Sequence, residues 1–186
     1  MKIFKLFFSA WALMLCLNVN AQNFEVKINP LGVLFNSPDL SAEYIVNDDI
    51  GVQLTLGLEY GDFALGLSDL TKSGYALRLM GKYYFNPDDG ADRFYAGVYL
   101  GPRSRSINDD INDGFDQGFR QSAFTAGLAI GYKWVGKKGI LFEVAIGGGR
   151  AFGETITFDD DNFETEVDGF GVDVIGMLAV GYRFGM

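Results

Sequence analysis

Acidic side chains concentrate near the end of the chain, between residues 154 and 168. Asp159, Asp160 and Asp161 stand at the centre of this stretch, and carboxylate oxygens are the ligands that Ca²⁺ and Mg²⁺ prefer. These three residues are therefore candidate metal ligands. The alternative is that mutual repulsion keeps an exposed loop solvated, and we favour that interpretation, so no bound metal is expected. The acids are Glu154, Asp159, Asp160, Asp161, Glu164, Glu166 and Asp168.

Other residues with catalytic potential are sparse. The chain has no histidine and one cysteine, Cys16, which excludes most catalytic triads and most zinc sites. The run from Gly131 to Lys138 approaches a phosphate-binding loop, but Lys138 stands where Ser or Thr would bind Mg²⁺. The aspartates of residues 108–114 do not have the spacing of an EF-hand calcium loop. We therefore expect no enzymatic activity and no cofactor.

Residues 1–21 have the features of a cleaved secretory signal. Lys2 and Lys5 precede an apolar stretch from Leu6 to Leu17, and the small Ala21 stands at the predicted cleavage site. The apolar stretch is shorter than the about 20 residues that a membrane-spanning helix needs. The sequence thus predicts export and removal of this segment.

Cleavage leaves residues 22–186 as one domain without a cysteine. A lipoprotein signal built on Cys16 is the alternative, although a bulky Leu15 precedes that cysteine.

The mature chain is strongly acidic. Without Lys2 and Lys5 the 15 basic residues become 13, against 24 acidic residues, which gives a net charge of −11. Basic residues supply the affinity for nucleic acids, so no nucleic-acid partner is expected.

Alternation of apolar residues with small or polar residues is the main structural signal. From Phe124 to Trp134 every second residue is apolar, a pattern that indicates a strand with one apolar face. Turn residues divide the mature chain into eight such runs: Phe24–Phe35, Leu40–Val46, Ile50–Tyr60, Gly74–Phe85, Arg93–Arg105, Ser122–Val135, Ile140–Phe152 and Gly171–Phe184. We predict an all-β protein, an eight-stranded antiparallel up-and-down transmembrane β-barrel, because lipid cannot hydrogen-bond an open sheet edge.

The connections between the predicted strands alternate in length. Those at residues 47–49, 86–92 and 136–139 are short, whereas those at 61–73 and 106–121 are long. The last connection, from Gly153 to Gly169, is long as well, and only the first, from Asn36 to Asp39, is shorter than the alternation predicts. Short turns at one rim and long loops at the other are typical of outer-membrane barrels, whose turns lie in the periplasm.

The apolar face is predicted to contact lipid. It carries aromatic residues near its ends, as the girdles of membrane barrels do: Tyr83, Phe85, Tyr132, Trp134, Tyr182 and Phe184. The alternative is a soluble, lipocalin-like binding barrel with the apolar face inside. An eight-stranded barrel has too narrow an interior for so many large side chains, which favours the membrane interpretation.

The same register points ten charged residues into the lumen, five of each sign: Glu25, Lys27, Glu43, Glu59, Arg78, Lys82, Lys133, Glu143, Asp173 and Arg183. Unpaired charge in a confined space is costly, so we expect a paired plug rather than an open channel. Lys133 and Glu143 fall opposite each other across the turn at residues 136–139, and we predict that they pair. Lys82 and Arg183 lie at similar depth and are expected to join them.

The acidic stretch itself alternates on either side of Asp159–Asn162. Glu154–Phe158 and Phe163–Val167 therefore predict a hairpin that extends the seventh and eighth strands beyond the membrane. Such a hairpin would offer a strand edge to an extracellular protein partner. Its acids would also be placed to bridge through cations to the phosphates of lipopolysaccharide.

The chain resembles the small outer-membrane barrels of the OmpA and OmpX type, and also the exported outer-membrane barrel proteins of Bacteroidetes. The resemblance rests on the architecture and on the short stretches Ile28–Gly32 and Glu43–Asp48. Val180–Phe184 is similar to the aromatic C-terminal signal of that class, although Gly185 and Met186 follow it. The resemblance implies a monomer in the outer membrane of a Gram-negative bacterium, in contact with membrane lipid and inserted by the outer-membrane assembly machinery.

Three functions are compatible with this resemblance. The first is a non-enzymatic barrel whose loops serve surface interaction or envelope integrity. The second is a narrow channel for ions or small solutes. The third is a lipid-modifying membrane enzyme, but the designs of that kind which the chain resembles rely on histidine, which it lacks.

Overall fold

Nine strands and one short helix account for the regular structure in the described part of the chain. The computed structural model describes residues 24–34, 36–62, 70–88, 90–109, 119–158, 163–166 and 171–185. The elements are β1 (Phe24–Ile28), α1 (Pro30–Leu34), β2 (Asp39–Asn47), β3 (Ile50–Asp62), β4 (Leu70–Tyr84), β5 (Arg93–Asp109), β6 (Phe119–Val135), β7 (Ile140–Phe158), β8 (Phe163–Glu166) and β9 (Val172–Phe184). The predicted signal segment lies outside the described residues.

Eight of these strands close into a barrel. Every strand pairs antiparallel with its neighbour in sequence from β1 to β7, and β9 pairs with both β7 and β1. The closing register places Phe24 opposite Phe184. The predicted eight-stranded, antiparallel, up-and-down barrel is thus confirmed. Among the described residues, no helix is long and apolar enough to cross a membrane.

The barrel has two different ends. The turns at residues 47–50, 84–93 and 135–140, together with the first and last strand residues, lie at one end, which we call the turn end. The opposite rim, the loop end, carries the longer connections. Strands β4 to β7 reach further toward the loop end than the sequence predicts, and the middles of the three long loops lie outside the described residues.

The predicted first strand, Phe24–Phe35, is wrong beyond Ile28. At that point the chain turns into α1, because Pro30 has no N–H to contribute to a ladder and its fixed φ suits the first residue of a helix. Asn29 caps the helix, since its Oδ1 accepts a hydrogen bond from Gly32 N at 3.2 Å. Gly32 is required there because a Cβ would lie 2.2 Å from the Ser37 carbonyl oxygen.

The two faces of the wall differ sharply. Large apolar side chains point outward, and exposure reaches 67% at Leu128 and 77% at Val174. Charged side chains point inward, and Glu43 and Lys133 are 0% exposed. The lipocalin-like alternative required the opposite arrangement, with the apolar face inside, and is wrong in this respect.

The predicted hairpin at the loop end is present in the backbone. Thr155–Phe158 of β7 pairs with β8, from Thr155 opposite Glu166 to Phe158 opposite Phe163. The same stretch of β7 also pairs with β6, through residues 119–122, so both of its edges are occupied. In the described part of this hairpin, β8 is therefore the strand to which a partner strand of the kind we expected could add. The candidate metal ligands Asp159, Asp160 and Asp161 lie outside the described residues.

Candidate functional site

Ten polar side chains from all eight wall strands meet inside the barrel near the turn end. We call this set the lumen network. No member is more than 4% exposed. Its members are Glu25 and Lys27 of β1, Glu43 of β2, Gln53 of β3, Lys82 and Tyr84 of β4, Tyr95 of β5, Lys133 of β6, Glu143 of β7 and Arg183 of β9.

Lys27 and Lys82 form the centre of the lumen network. Lys27 Nζ donates to Glu43 Oε2, Glu143 Oε2 and Gln53 Oε1, each at 2.5 Å. Lys82 Nζ donates to the same three residues, at 2.9 Å to Glu43, at 2.6 Å to Gln53, and to Glu143 Oε1. Two ammonium groups thus share two carboxylates and one amide oxygen. Burial of these charges is tolerable because each has several partners.

Glu25 joins the network to the turn end. Its carboxylate accepts from Lys133 Nζ at 2.9 and 3.1 Å, and from Arg183 Nε at 2.8 Å. Arg183 also donates to the carbonyl oxygens of Gly90 at 2.5 Å and Ala91 at 3.1 Å. These carbonyls belong to the β4–β5 turn, where Ala91 is 0% exposed. The turn therefore folds under the barrel and covers the mouth at this end.

Two buried tyrosines complete the shell around the carboxylates. Tyr84 Oη donates to Glu43 and Tyr95 Oη donates to Glu143, both at 2.5 Å. The Lys133 ammonium lies 4.5 Å from the centre of the Tyr84 ring, and Lys82 lies 4.5 Å from that of Tyr95. Each ring thus stabilises a cation with its face and a carboxylate with its hydroxyl.

Glycines on the inner face make room for the tyrosines. A Cβ at Gly131 would lie 2.5 Å from Tyr95 Cζ, and one at Gly127 would lie 2.6 Å from Tyr99 Cζ. Real Cβ atoms do not approach other atoms so closely, so Gly131 excludes a larger residue unless the Tyr95 ring moves. At Gly127 a Cβ would also lie 2.5 Å from the Gly148 carbonyl oxygen, so the backbone excludes a larger residue as well. The alternation of glycine with large residues along β6 therefore serves the packing of the lumen.

One predicted pair is not formed. Lys133 and Glu143 do stand opposite each other across β6 and β7, but their side chains bind elsewhere. Lys133 reaches Glu25 and Glu43, whereas Glu143 binds Lys27 and Lys82. The lumen of an eight-stranded barrel is narrow enough for long side chains to cross it, so each finds several partners on other strands.

A second polar group lies nearer the loop end. Arg105 donates through Nε and Nη2 to the two oxygens of Glu59, both at 2.6 Å. Asp173 accepts from Arg103 at 2.8 Å and from Tyr99 Oη at 2.9 Å. These pairs are more exposed than the lumen network; the Arg105 side chain is 29% exposed. The predicted lumen residues Glu59 and Asp173 thus form ion pairs, but in a group separate from the lumen network.

The matched family covers almost the whole chain. Residues 7–177 match the family described as "Protein of unknown function (DUF3575)". The chain belongs to this family. Neither the curated proteins nor the solved structures yielded a match.

Sequence reasoning missed several inward residues of this DUF3575 barrel. For four of them the signal was present, because each follows an outward apolar residue: Gln53 follows Val52, Tyr84 follows Tyr83, Tyr95 follows Phe94 and Tyr99 follows Val98. The missed residues are Gln53, Tyr84, Tyr95, Tyr99, Arg103 and Arg105. Gln53 and the tyrosines were overlooked because the predicted lumen set contained charged residues alone. Arg103 and Arg105 were omitted although the predicted strand Arg93–Arg105 includes both.

The six aromatic residues of the predicted girdle all lie near the turn end of the DUF3575 barrel. Trp134 is 52% and Tyr83 is 50% exposed on the outer surface. Three pairs of rings are in contact along single strands, with centroids 4.4 to 5.1 Å apart: Tyr83 with Phe85, Tyr132 with Trp134, and Tyr182 with Phe184. Within the described ranges no group of His, Cys, Asp or Glu residues could hold a metal ion.

Proposed function

We propose that this chain is a non-enzymatic barrel of the bacterial outer membrane, with a closed lumen and with loops that serve surface interaction or envelope integrity. The distribution of apolar side chains carries the proposal. Water-soluble monomers rarely expose continuous apolar patches larger than a few hundred Å². Here the outward positions of every barrel strand carry exposed apolar side chains, an arrangement that lipid stabilises and water does not.

The height of the apolar surface supports a bilayer location. Outward residues of β6 run from Phe124 to Trp134, and ten steps of about 3.4 Å at a tilt near 40° give roughly 26 Å. That height matches the about 25 Å apolar band of outer-membrane barrels. The exposed aromatics of the turn end would then lie at the level of the lipid headgroups.

The lumen network supports a closed barrel rather than a channel. Its ten side chains bridge all eight strands, and the β4–β5 turn covers the mouth beside them through Arg183, Gly90 and Ala91. An ion crossing this region would have to displace buried ion pairs whose partners would be left without compensation. A role as a stable platform for the loops fits this interior.

Insertion is tested by the behaviour of the folded chain in lipid. The chain, refolded into phosphatidylcholine vesicles, should migrate differently on a detergent gel before and after boiling. Leu128→Lys should lower the free energy of unfolding by about 2–4 kcal/mol if Leu128 lies near the bilayer midplane, whereas Lys137→Gln, in an exposed turn, should have no effect. Equal behaviour of Leu128→Lys and the unaltered chain would contradict the proposal.

Conduction is tested separately. Single-channel recording of the inserted barrel in planar bilayers should give no discrete conductance steps. Reproducible steps from a preparation shown to be folded by the gel assay would instead support the narrow channel and contradict the closed lumen.

A further inference from the structure

The barrel wall has an opening on one side. β1 ends at Ile28, opposite Val180 of β9, but β9 continues to Val172 and is paired there with β7 alone. On its other side, residues 172–179 face no strand in the described part of the chain. The chain after β1 adds no strand to the gap: it forms α1, which lies against β9, and then pairs with β3, where Tyr60 N donates to Asn36 O at 2.9 Å. The gap follows from the early end of β1 at Pro30.

A cavity of about 550 Å³ passes through this opening. Inward residues line it, among them Asp39, Arg78 and Ile175, and so do outward residues such as Leu31 and Leu178. A cavity lined by both faces of the wall joins the lumen to the outer surface. Its size lies in the range of small-molecule binding sites.

An apolar hollow continues the cavity along the outside of the barrel. It measures about 560 Å³ and shares Ile146, Val174, Ile175 and Gly176 with the first cavity. Two outward positions here, Gly148 and Gly176, have no side chain, and a Cβ at Gly176 would meet no atom within 4 Å. The two spaces together form a track that is aliphatic outside and polar within.

The polar end of the track contains one cation without an ion-pair partner. Glu59 is held by both nitrogens of Arg105, and Asp39 accepts from Asn29 Nδ2 at 3.0 Å. In the described ranges Arg78 makes no ion pair within 4 Å. Its guanidinium lies 5.5 Å from the centre of the Tyr99 ring. With Asp39 it interacts only by longer-range electrostatic attraction. A ligand with an anionic group could therefore bind Arg78 directly.

We propose that this track binds a long-chain carboxylic acid, with the alkyl chain in the outer hollow and the carboxylate at Arg78. The inference rests on the proposed membrane location, because only there does the hollow open to an apolar phase. Below Arg78 the lumen network blocks the axis, so the ligand enters and leaves sideways through the wall. A carboxylate and a guanidinium match in geometry and form paired hydrogen bonds.

The test uses a photoactivatable fatty acid with a diazirine near the end of its chain. The full chain is refolded into phosphatidylcholine vesicles, irradiated with the probe, and mapped by mass spectrometry. We expect saturable labelling of residues 172–179 and of Ile146. Gly176→Phe should abolish that labelling by filling the hollow, whereas Gly81→Phe should retain it. Gly81 is the matched control, since it is an outward strand glycine on β4 where a Cβ also meets no atom within 4 Å.

The role of the head group is tested with Arg78→Gln. This change removes a charge-assisted hydrogen bond and should raise the probe concentration for half-maximal labelling by roughly tenfold to a hundredfold. A photoactivatable fatty alcohol of the same length should label weakly and be insensitive to Arg78→Gln. A photoactivatable phosphatidylcholine that labels the same residues saturably would show a phospholipid groove instead and overturn the carboxylate assignment.

Failure of this inference is distinguishable from failure of the membrane proposal. If the refolded chain passes the gel assay but Gly176→Phe and Gly81→Phe label alike, the track binds no fatty acid while the barrel remains a membrane protein. If the unaltered chain itself does not fold into vesicles, the membrane proposal fails.

Discussion

Glu143→Gln is the substitution that probes the lumen network most sharply. The Glu143 carboxylate accepts hydrogen bonds from Lys27, Lys82 and Tyr95, and the change keeps its shape while removing its charge. The four cations of the network would then face two carboxylates instead of three. Hydrogen bonds to a charged group are worth about 1.5–3 kcal/mol each, and breaking a buried ion pair costs about 3–5 kcal/mol. Because the amide oxygen still accepts one bond, we expect the free energy of unfolding to fall by about 3–5 kcal/mol.

The assay is urea unfolding of the barrel in detergent micelles, followed by the gel shift between folded and unfolded chains. Asp88→Asn is the matched control, since Asp88 pairs with Arg93 but its side chain is 69% exposed. Surface pairs contribute about 0–1 kcal/mol, so this control should change little.

A second variant isolates the charge effect. Adding Lys82→Met to Glu143→Gln removes one of the cations left in excess, so the double variant should lose at least about 1 kcal/mol less than the sum of the single losses. Two results would refute the idea that paired charges stabilise the interior. One is a Glu143→Gln barrel as stable as the Asp88→Asn control. The other is a double variant whose loss in the free energy of unfolding equals the sum of the two single losses.

Two further predictions concern packing and the helix cap. Gly131→Val should destabilise the barrel by about 1–3 kcal/mol, because its Cβ would overlap the Tyr95 ring. Gly81→Val, on the outer face, should leave the free energy of unfolding unchanged in the same urea titration. Equal losses of stability in the two variants would contradict the packing account. Asn29→Ala should cost about 1 kcal/mol through loss of the cap to Gly32 N, measured as a shift in the urea midpoint, and an unchanged midpoint would argue against the cap.

The strand order and the sidedness could be predicted because both follow from local periodicity. Eight runs in which every second residue is apolar, separated by turn residues, predict one sheet with one apolar face. An even number of antiparallel strands allows that sheet to close into a barrel. The inward direction of Lys82 and Glu143 follows from the same register. The end of β1 was mispredicted because the apolar residues of Pro30–Leu34 suit a strand as well as a helix, and the capping role of Asn29 was overlooked.

The ion-pair partners inside the barrel could not be predicted from neighbouring strands. Because Lys133 and Glu143 stand opposite each other on adjacent strands, the sequence predicted an ion pair between them. A lysine that extends across a narrow lumen, however, contacts carboxylates on several strands at once. Which ones it meets depends on the stagger of the closed barrel, a property of all eight strands together. The lateral opening is likewise a consequence of closure, because it appears only when β1 and β9 of unequal length are paired.

The most direct test of the central claim measures which face of the barrel meets hydrocarbon. Because residues 22–186 contain no cysteine, single cysteines at Leu128, Val98 and Lys137 can each carry one nitroxide label in the barrel refolded into vesicles. The labels at Leu128 and Val98, whose side chains are 67% and 62% exposed, should be relaxed by oxygen dissolved in the bilayer and protected from a water-soluble nickel chelate, with Lys137 showing the reverse. Strong relaxation of Leu128 and Val98 by the nickel chelate would place the apolar face in water and contradict the account.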